Sequence, residues 1–391
     1  MAPSVSRIHL PPERIHRLVW HGENVSLATV VGEIDRLHRE LVRRDAADDA
    51  HPHPRNCVMN LVVVAAKAQQ AQHALEAVDR VAGQHPARAL VLLLDEGGEE
   101  RVDCEVASTA HQLLNGCPVE CERVRLHVSG PAASHLPSLV EPLLVPDVKT
   151  HFWWTGTPPL TDQRLLQAMT ICDFLIIDSA HFDRPYESFR DLAALARTVR
   201  DKVALADFHW ARLEPWRQLL AQFFSPPDRR PFMEGINGVG LDYVGEWRAN
   251  RVGAALLAGW LISSLGWKLK EAASGAGGVV AALLESRRKH PVDLSFRSVS
   301  IPGLTPGEIA ALRLEAAAGG RTCSLVMERE REKLRWADVR IQIGGAETVK
   351  QLVPLEPEDE AQLLLDLLVD GVQDPVYMRS LESAAELLQA L

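Results

Sequence analysis

The sequence predicts an α/β protein: a doubly wound, mostly parallel sheet followed by a smaller C-terminal α+β domain. Three observations carry this expectation. Apolar runs such as Val58–Ala65 and Arg88–Leu94 are continuous, as in strands buried on both faces. Helical stretches alternate with such runs, which is the pattern of a parallel sheet wound by crossover helices. After Gly275 the strand-like runs come closer together and alternate in polarity, with turns such as PGLTPG and AAAGG between them. That spacing suits antiparallel strands.

In chain order, residues 1–22 carry Pro and His and read as irregular. They lack the continuous apolar core of a secretory signal. Val25–Arg44 places Val31, Ile34, Leu37 and Leu41 at helical spacing with charges between them. DAADDAHPHPRN then reads as a surface loop. Its His51 and His53 lack a third ligand nearby, so solvation is favoured over metal binding. Helices are expected over Gln70–Val81, within Pro131–Leu143, and over Leu160–Thr170 and Ser188–Val199. Strands are expected over Val102–Ser108, Val124–Val128, Val148–Trp154, Asp173–Ile177 and Val203–Ala206. Ile236–Tyr243 reads as a strand loosened by glycines. Arg248–Trp267 is a long helix, apolar nearly all round from Val252 to Leu265. That run is shorter than the ~20 residues a membrane span needs, so it is a buried helix. Gly259 beside Trp260 marks a close crossing. Strands over 279–284, 292–299, 309–314, 322–327 and 334–343 precede a helical tail. The expected divisions are an N-terminal segment, 1–54, an α/β domain, 55–272, and a C-terminal α+β domain, 273–391.

Charge and cysteine usage exclude some functions. Lys and Arg number 42 against 52 Asp and Glu, a net charge of −10, which excludes nucleic-acid binding by bulk positive charge. The six cysteines are scattered, which suits a reducing cytoplasm better than a disulfide framework. Cys117 and Cys121 form the one close pair and read as ordinary thiols.

The chemistry concentrates where three predicted strands end: at Trp153-Trp154, at Asp178-Ser179, and at Asp207-Phe208-His209-Trp210. Adjacent parallel strands bring such ends to one edge of a sheet, the usual place for a binding crevice. A dense block, Asp207–Arg217, follows the last of these and carries Trp210, Arg212, Trp216 and Arg217. Asp178, Ser179, Asp207 and His209 have the types of an acid–base cluster. No G-x-S-x-G elbow frames Ser179, and an Asp at a strand end commonly caps the turn that follows. The Trp and Arg residues fit three readings: packed core, a partner hot spot, or a sugar-phosphate pocket. No G-x-x-x-x-G-K-[ST] occurs, and the glycines at 235, 238 and 240 and at 275, 277 and 278 stand before strands rather than between strand and helix. An independent nucleotide cofactor is therefore not expected.

Several of these segments resemble one family. They are W-W-x-G at Trp153–Gly156, the Asp178-Ser179 pair, D-x-x-W-A-R-L-x-P-W-R at Asp207–Arg217, and A-x-L-L-A-G-W-L-x-x-x-L-G-W at Ala254–Trp267. With Trp20–Gly22 and R-x-C-V-x-N-L-V-V at Arg55–Val63, they resemble the OpcA family of glucose-6-phosphate dehydrogenase assembly proteins. Beyond Gly275 the likeness is general, ending in D-P-V-Y at Asp374–Tyr377. The resemblance implies a non-catalytic cytoplasmic protein that binds glucose-6-phosphate dehydrogenase and promotes its active oligomer, with no cofactor or metal of its own. In photosynthetic members it also implies redox control through cysteines; the C-terminal part here holds Cys323 alone. Ten residues are the candidates for touching a partner or ligand: Trp153, Trp154, Asp178, Ser179, Asp207, His209, Trp210, Arg212, Trp216 and Arg217. The alternative is an enzyme binding a sugar phosphate or nucleotide, with Asp178, Asp207, His209 and Arg212 in the crevice.

Overall fold

The computed structural model describes residues 14–47, 57–112, 118–245, 250–275, 279–346, 348–355 and 359–391. The His51/His53 loop, Cys117, Trp247 and the glycines at 277 and 278 lie outside these residues. The chain begins β1 (Arg14–Gly22), α1 (Leu27–Ala47), β2 (Met59–Ala65), α2 (Ala68–Val81), β3 (Ala87–Asp95), β4 (Arg101–Gln112) and β5 (Pro118–Ser129). It continues α3 (Leu136–Val140), β6 (Lys149–Trp154), α4 (Gln163–Ala168), β7 (Phe174–Ile177), α5 (Pro185–Val199), β8 (Ala204–Asp207), α6 (Phe208–Arg212), α7 (Glu214–Phe224) and α8 (Arg230–Glu234). Then come β9 (Ile236–Val244), α9 (Val252–Leu265), β10 (Lys268–Ser274), β11 (Val280–Glu285), β12 (Pro291–Val299) and β13 (Ile309–Ala318). The last elements are β14 (Arg321–Arg329), β15 (Trp336–Ile343), β16 (Val349–Pro354), α10 (Glu360–Asp370) and α11 (Pro375–Gln389).

The chain divides into two compact units. The first takes residues up to Ile177, with Asp201–Leu205 and Glu360–Val372. Its sheet has the order β1-β4-β5-β3-β2-β6-β7-β8. The pairs β3/β5, β2/β3, β2/β6 and β6/β7 are parallel, and β1/β4 and β4/β5 are antiparallel. β2 is buried along its whole length, as its unbroken MNLVVVA run requires. α1 buries Val30, Ile34, Leu37 and Leu41, so Val30 rather than Val31 opens its apolar stripe. The expected irregular start at residues 1–22 is corrected from Arg14 onward, where β1 pairs with β4. β1 is an edge strand, and its exposed Arg17 and His21 break up the apolar signal.

The second unit holds Asp178–Arg200, Ala206–Asp359 and Gln373–Leu391. Its sheet also has eight strands, in the order β10-β11-β12-β9-β13-β14-β15-β16. The pairings are antiparallel except β12/β9. β9, expected to belong with residues 55–272, is central here. Its Gly238 and Gly240 face the solvent side, while Val239, Leu241 and Tyr243 are buried. α9 is buried around most of its circumference and packs on α11. The crossing is close at Gly259: a Cβ there would lie 2.4 Å from the Ser380 carbonyl oxygen. No helix among the described residues is long and apolar enough to cross a membrane.

Candidate functional site

Two strand ends of the α/β sheet feed the site, and its residues belong to the second unit. Asp207 ends β8 in extended conformation and caps α6, its Oδ1 accepting from the His209 N–H at 2.9 Å. Asp178, just beyond β7, caps the single turn Ser179–His181, accepting from the Ala180 N–H at 3.1 Å. A short carboxylate is well suited to that position because it answers amide groups that the first turn leaves without partners.

The two carboxylates are answered differently. Asp178 accepts both arms of Arg212, from Nη1 at 2.9 Å and Nη2 at 2.8 Å, and His181 Nδ1 lies 2.8 Å away. Burial pushes the Asp178 pKa up, but the hydrogen bonds and charges of His181 and Arg212 win, and the carboxyl sits well below the usual range. Asp207 has no cation among its hydrogen-bond partners. It accepts from Ser179 N at 3.0 Å, Ser179 Oγ at 2.6 Å and Tyr377 Oη at 3.2 Å, besides His209 N. Burial, then the charge of Asp178, raises its pKa to about 6.

His209 completes a relay, with Nδ1 3.2 Å from Ser179 Oγ. Burial lowers its pKa to about 4, so the ring is neutral near pH 7. A serine hydroxyl has one proton, and Ser179 gives it to Asp207. His209 Nδ1 must then donate to Ser179 Oγ, which leaves Nε2 a bare acceptor. In a nucleophilic triad the order differs: histidine takes the serine proton and the acid orients the histidine. Here the serine stands between acid and histidine. Gly253 lies against the far edge of the ring, where a Cβ would come 2.5 Å from Nε2.

The Trp and Arg residues pack rather than protrude. Trp210 Nε1 donates to Asp374 Oδ2 at 2.9 Å, and the Arg217 guanidinium lies 3.6 Å from the Trp210 ring centroid. Burial lowers the Arg217 pKa to about 10. Trp216 is 2% exposed, with the Arg329 guanidinium 5.8 Å from its ring centroid. A cavity of about 490 Å³ opens beside them, lined in part by His181, His209, Arg212, Trp216, Asn250 and Arg329.

Of the ten candidates, Asp178, Ser179, Asp207, His209 and Arg212 thus form one hydrogen-bonded cluster. Trp210 and Arg217 stack beside each other. Trp216, with His209 and Arg212, lines the cavity. Trp153 is buried and Trp154 half-buried at the end of β6, in the first unit. Sequence reasoning missed Asn250, whose Nδ2 donates to the Ser179 and Ala180 carbonyls at 3.2 and 3.0 Å. It read that residue as helical. It also missed the roles of Asp374 and Tyr377, although D-P-V-Y was visible as a motif.

The first unit holds a different polar cluster, His38, Glu120 and Glu122, with ligand-type atoms within 4.8 Å of one another. Its carboxylates already have partners: Arg88 Nε on Glu122 at 2.7 Å, Ser108 Oγ on Glu120 at 2.5 Å and His38 Nδ1 on Glu120 at 2.5 Å. The described cysteines, Cys57, Cys104, Cys121, Cys172 and Cys323, form no disulfide, and burial pushes Cys121 up to about 12.

The buried titratable groups set an acid response. The unfolded His209 imidazole takes a proton near pH 6.5 and the folded one only near 4, so His209 removes stability as pH falls through that window. Asp207 does the reverse over nearly the same window, because its folded form takes the proton first. The two largely cancel. His151 in the first unit, also lowered to about 4 by burial, has no such opposite partner, and burial lowers His85 as well. Stability is therefore expected to fall between pH 6.5 and 4, with His151 contributing on the order of 3 kcal/mol. Urea midpoints at pH 7 and 4.5 check this. A His151→Phe variant that keeps the full wild-type pH response would overturn it.

Two family models match the chain. One, described as a glucose-6-phosphate dehydrogenase subunit N-terminal domain, covers residues 78–194, and the corresponding C-terminal domain covers 203–381. The chain is 27% identical over 321 residues to a protein of Synechococcus elongatus named as an OxPP cycle protein OpcA, covering 79% of this chain and 69% of that one. Its counterpart in Synechocystis is 25% identical over 324 residues, covering 80% and 65%. The Nostoc punctiforme counterpart is 28% identical over 262 residues, covering 64% and 54%, so this chain spans about half its length. Among solved structures, the 3-ketoreductase KijD10 of Actinomadura kijaniata, with NADP and TDP-benzene, is 13% identical at a TM-score of 0.48, covering 85% of this chain and 96% of that one. The UDP-N-acetylglucosamine 3-dehydrogenase GnnA of Acidithiobacillus ferrooxidans is 11% identical at 0.42, covering 85% and 97%.

Proposed function

The chain belongs to the OpcA family of glucose-6-phosphate dehydrogenase subunits, and from that premise we propose that it is a non-catalytic assembly factor and allosteric activator of glucose-6-phosphate dehydrogenase in the oxidative pentose phosphate pathway. One observation carries the non-catalytic part. The Ser179 hydroxyl is fully buried and bonded to Asp207 at 2.6 Å, out of reach of a substrate, and the neighbouring Arg212 is spent on Asp178. Such a network holds a strand-to-helix corner rigid and presents no accessible nucleophile. The turn after β2 also supports this reading, because Ala66-Lys67 stands where a phosphate-cradling loop would need glycines.

Mixing the purified chain with its cognate dehydrogenase tests the proposal. The expected result is a co-eluting complex on gel filtration, a larger dehydrogenase oligomer and raised turnover. Separate elution with unchanged activity would sink it. The cavity beside His209 and Arg212 favours a second reading, an enzyme of sugar phosphates. That reading requires turnover by this chain alone, abolished in a folded Asp207→Asn variant.

A further inference from the structure

We propose that the 490 Å³ cavity of the second unit is a binding site for a hexose-sized polyol bearing one oxyanion group. Its volume lies within the ~300–1,000 Å³ typical of small-molecule sites. Apolar walls, among them Leu213, Pro215 and Leu355, suit the C–H faces of such a body. Two polar groups line the space and can take a further partner from a ligand.

The first is His209. It is 6% exposed and lines the cavity, and its Nδ1 is taken by Ser179, while Nε2 has no hydrogen bond among the described residues. The proton order of the relay makes Nε2 an acceptor, so the group it lacks is a hydroxyl donor. Nε2 is accessible rather than sealed in the core, so a ligand hydroxyl can reach it in place of water. The second is Arg329, which also lines the cavity. Its Nε and Nη1 donate to the Ile309 and Leu334 carbonyls at 2.8 and 2.7 Å, and its nearest carboxylate, on the more exposed Glu308, stands 3.5 Å away. This half-buried guanidinium pairs with that one carboxylate at a long distance and otherwise holds carbonyls, so an oxyanion in the cavity would add to its charge balance. Arg212 cannot take that role, because Asp178 already holds both its arms. Hydroxyl towards His209 and oxyanion towards Arg329 together define the ligand. Both phosphate monoesters and free carboxylates of this chemistry fit the charge, and the choice of probes separates them.

The inference concerns the isolated chain, so its failure would leave the dehydrogenase partnership standing. Thermal unfolding and calorimetric titration with glucose 6-phosphate, gluconate, glucose and inorganic phosphate test it. The expected result is saturable binding of glucose 6-phosphate or gluconate, at least tenfold tighter than glucose or inorganic phosphate. Arg329→Gln should weaken it at least tenfold. Because Arg329 also supports carbonyls, a second variant is needed: Thr305→Trp, on an exposed rim residue, should block the cavity without touching the core. No binding of either oxyanion polyol, or equal binding in a folded Thr305→Trp protein, would overturn the proposal. Inorganic phosphate binding as tightly as glucose 6-phosphate would overturn it too.

Discussion

Asp207→Ala is expected to cost roughly 2 kcal/mol or more of stability at pH 7 beyond what Asp207→Asn costs. The difference follows from what the carboxylate does. Four donors converge on it: Ser179 N, Ser179 Oγ, His209 N and Tyr377 Oη, at 2.6–3.2 Å. Bonds to a charged acceptor are worth roughly 1.5–3 kcal/mol each. With these bonds already counted, keeping the buried carboxylate ionised at pH 7 still costs on the order of 3 kcal/mol, because its pKa is raised to about 6. Alanine relieves that cost but leaves the amides of Ser179 and His209 without an acceptor, at roughly 1–3 kcal/mol apiece. Asparagine relieves the same cost and keeps one oxygen for those amides. Its NH₂ then faces the hydroxyls of Ser179 and Tyr377, which rotate to accept. Ser179 is freed to donate to His209 Nδ1. Urea denaturation of both variants decides the matter, and equal losses would show that Asp207 is not an acceptor hub. Asparagine also removes the titration that offsets His209, so its stability should fall more steeply than that of wild type below pH 6.5.

The legible and illegible parts of this chain differ for physical reasons. Long strands buried on both faces, such as β2, announce themselves as unbroken apolar runs. β1 does not, because an edge strand keeps Arg17 and His21 in solvent. β9 was visible as a strand, but its membership was not: parallel pairing with β12 joins residues more than 50 apart, and local sequence carries no record of that. In the site, Asp178, Ser179, Asp207, His209 and Arg212 were found because strand ends collect polar residues. Their wiring was not readable. The carboxylate that holds Arg212 lies 34 positions upstream, and the donor from Tyr377 lies 170 positions from Asp207. Asp374 and Tyr377 sat in a visible D-P-V-Y, yet nothing local says that its acid meets the Trp210 indole. Asn250 was hidden for the opposite reason: the helix signal after it extended across a residue that in fact caps α9 through Val252 N at 2.9 Å.

Trp216→Ala should destabilise the protein by about 3–5 kcal/mol, and the folded fraction should still bind the dehydrogenase with unchanged affinity. A buried Trp cut to Ala loses its transfer free energy and leaves a cavity. Trp216 is 2% exposed, so its ring offers almost no area to a partner. Trp and Arg enrichment at interfaces pointed the other way from sequence. The geometry decides between them, because Arg212 turns inward to Asp178 and Arg217 lies on the Trp210 ring at 3.6 Å. Both cations are spent on internal contacts, as Trp210 is on Asp374. What α7 leaves outside is Glu214, Gln218, Ala221 and Gln222, the first two bonded to each other at 2.6 Å. Binding measured by titration at a temperature where the variant stays folded gives the answer. A tenfold loss of affinity in folded Trp216→Ala would mean that the corner shapes the docking surface from beneath. An unchanged affinity with a lower urea midpoint would assign the W-A-R-L-x-P-W-R stretch to the scaffold, and would place the contact with the dehydrogenase on other residues.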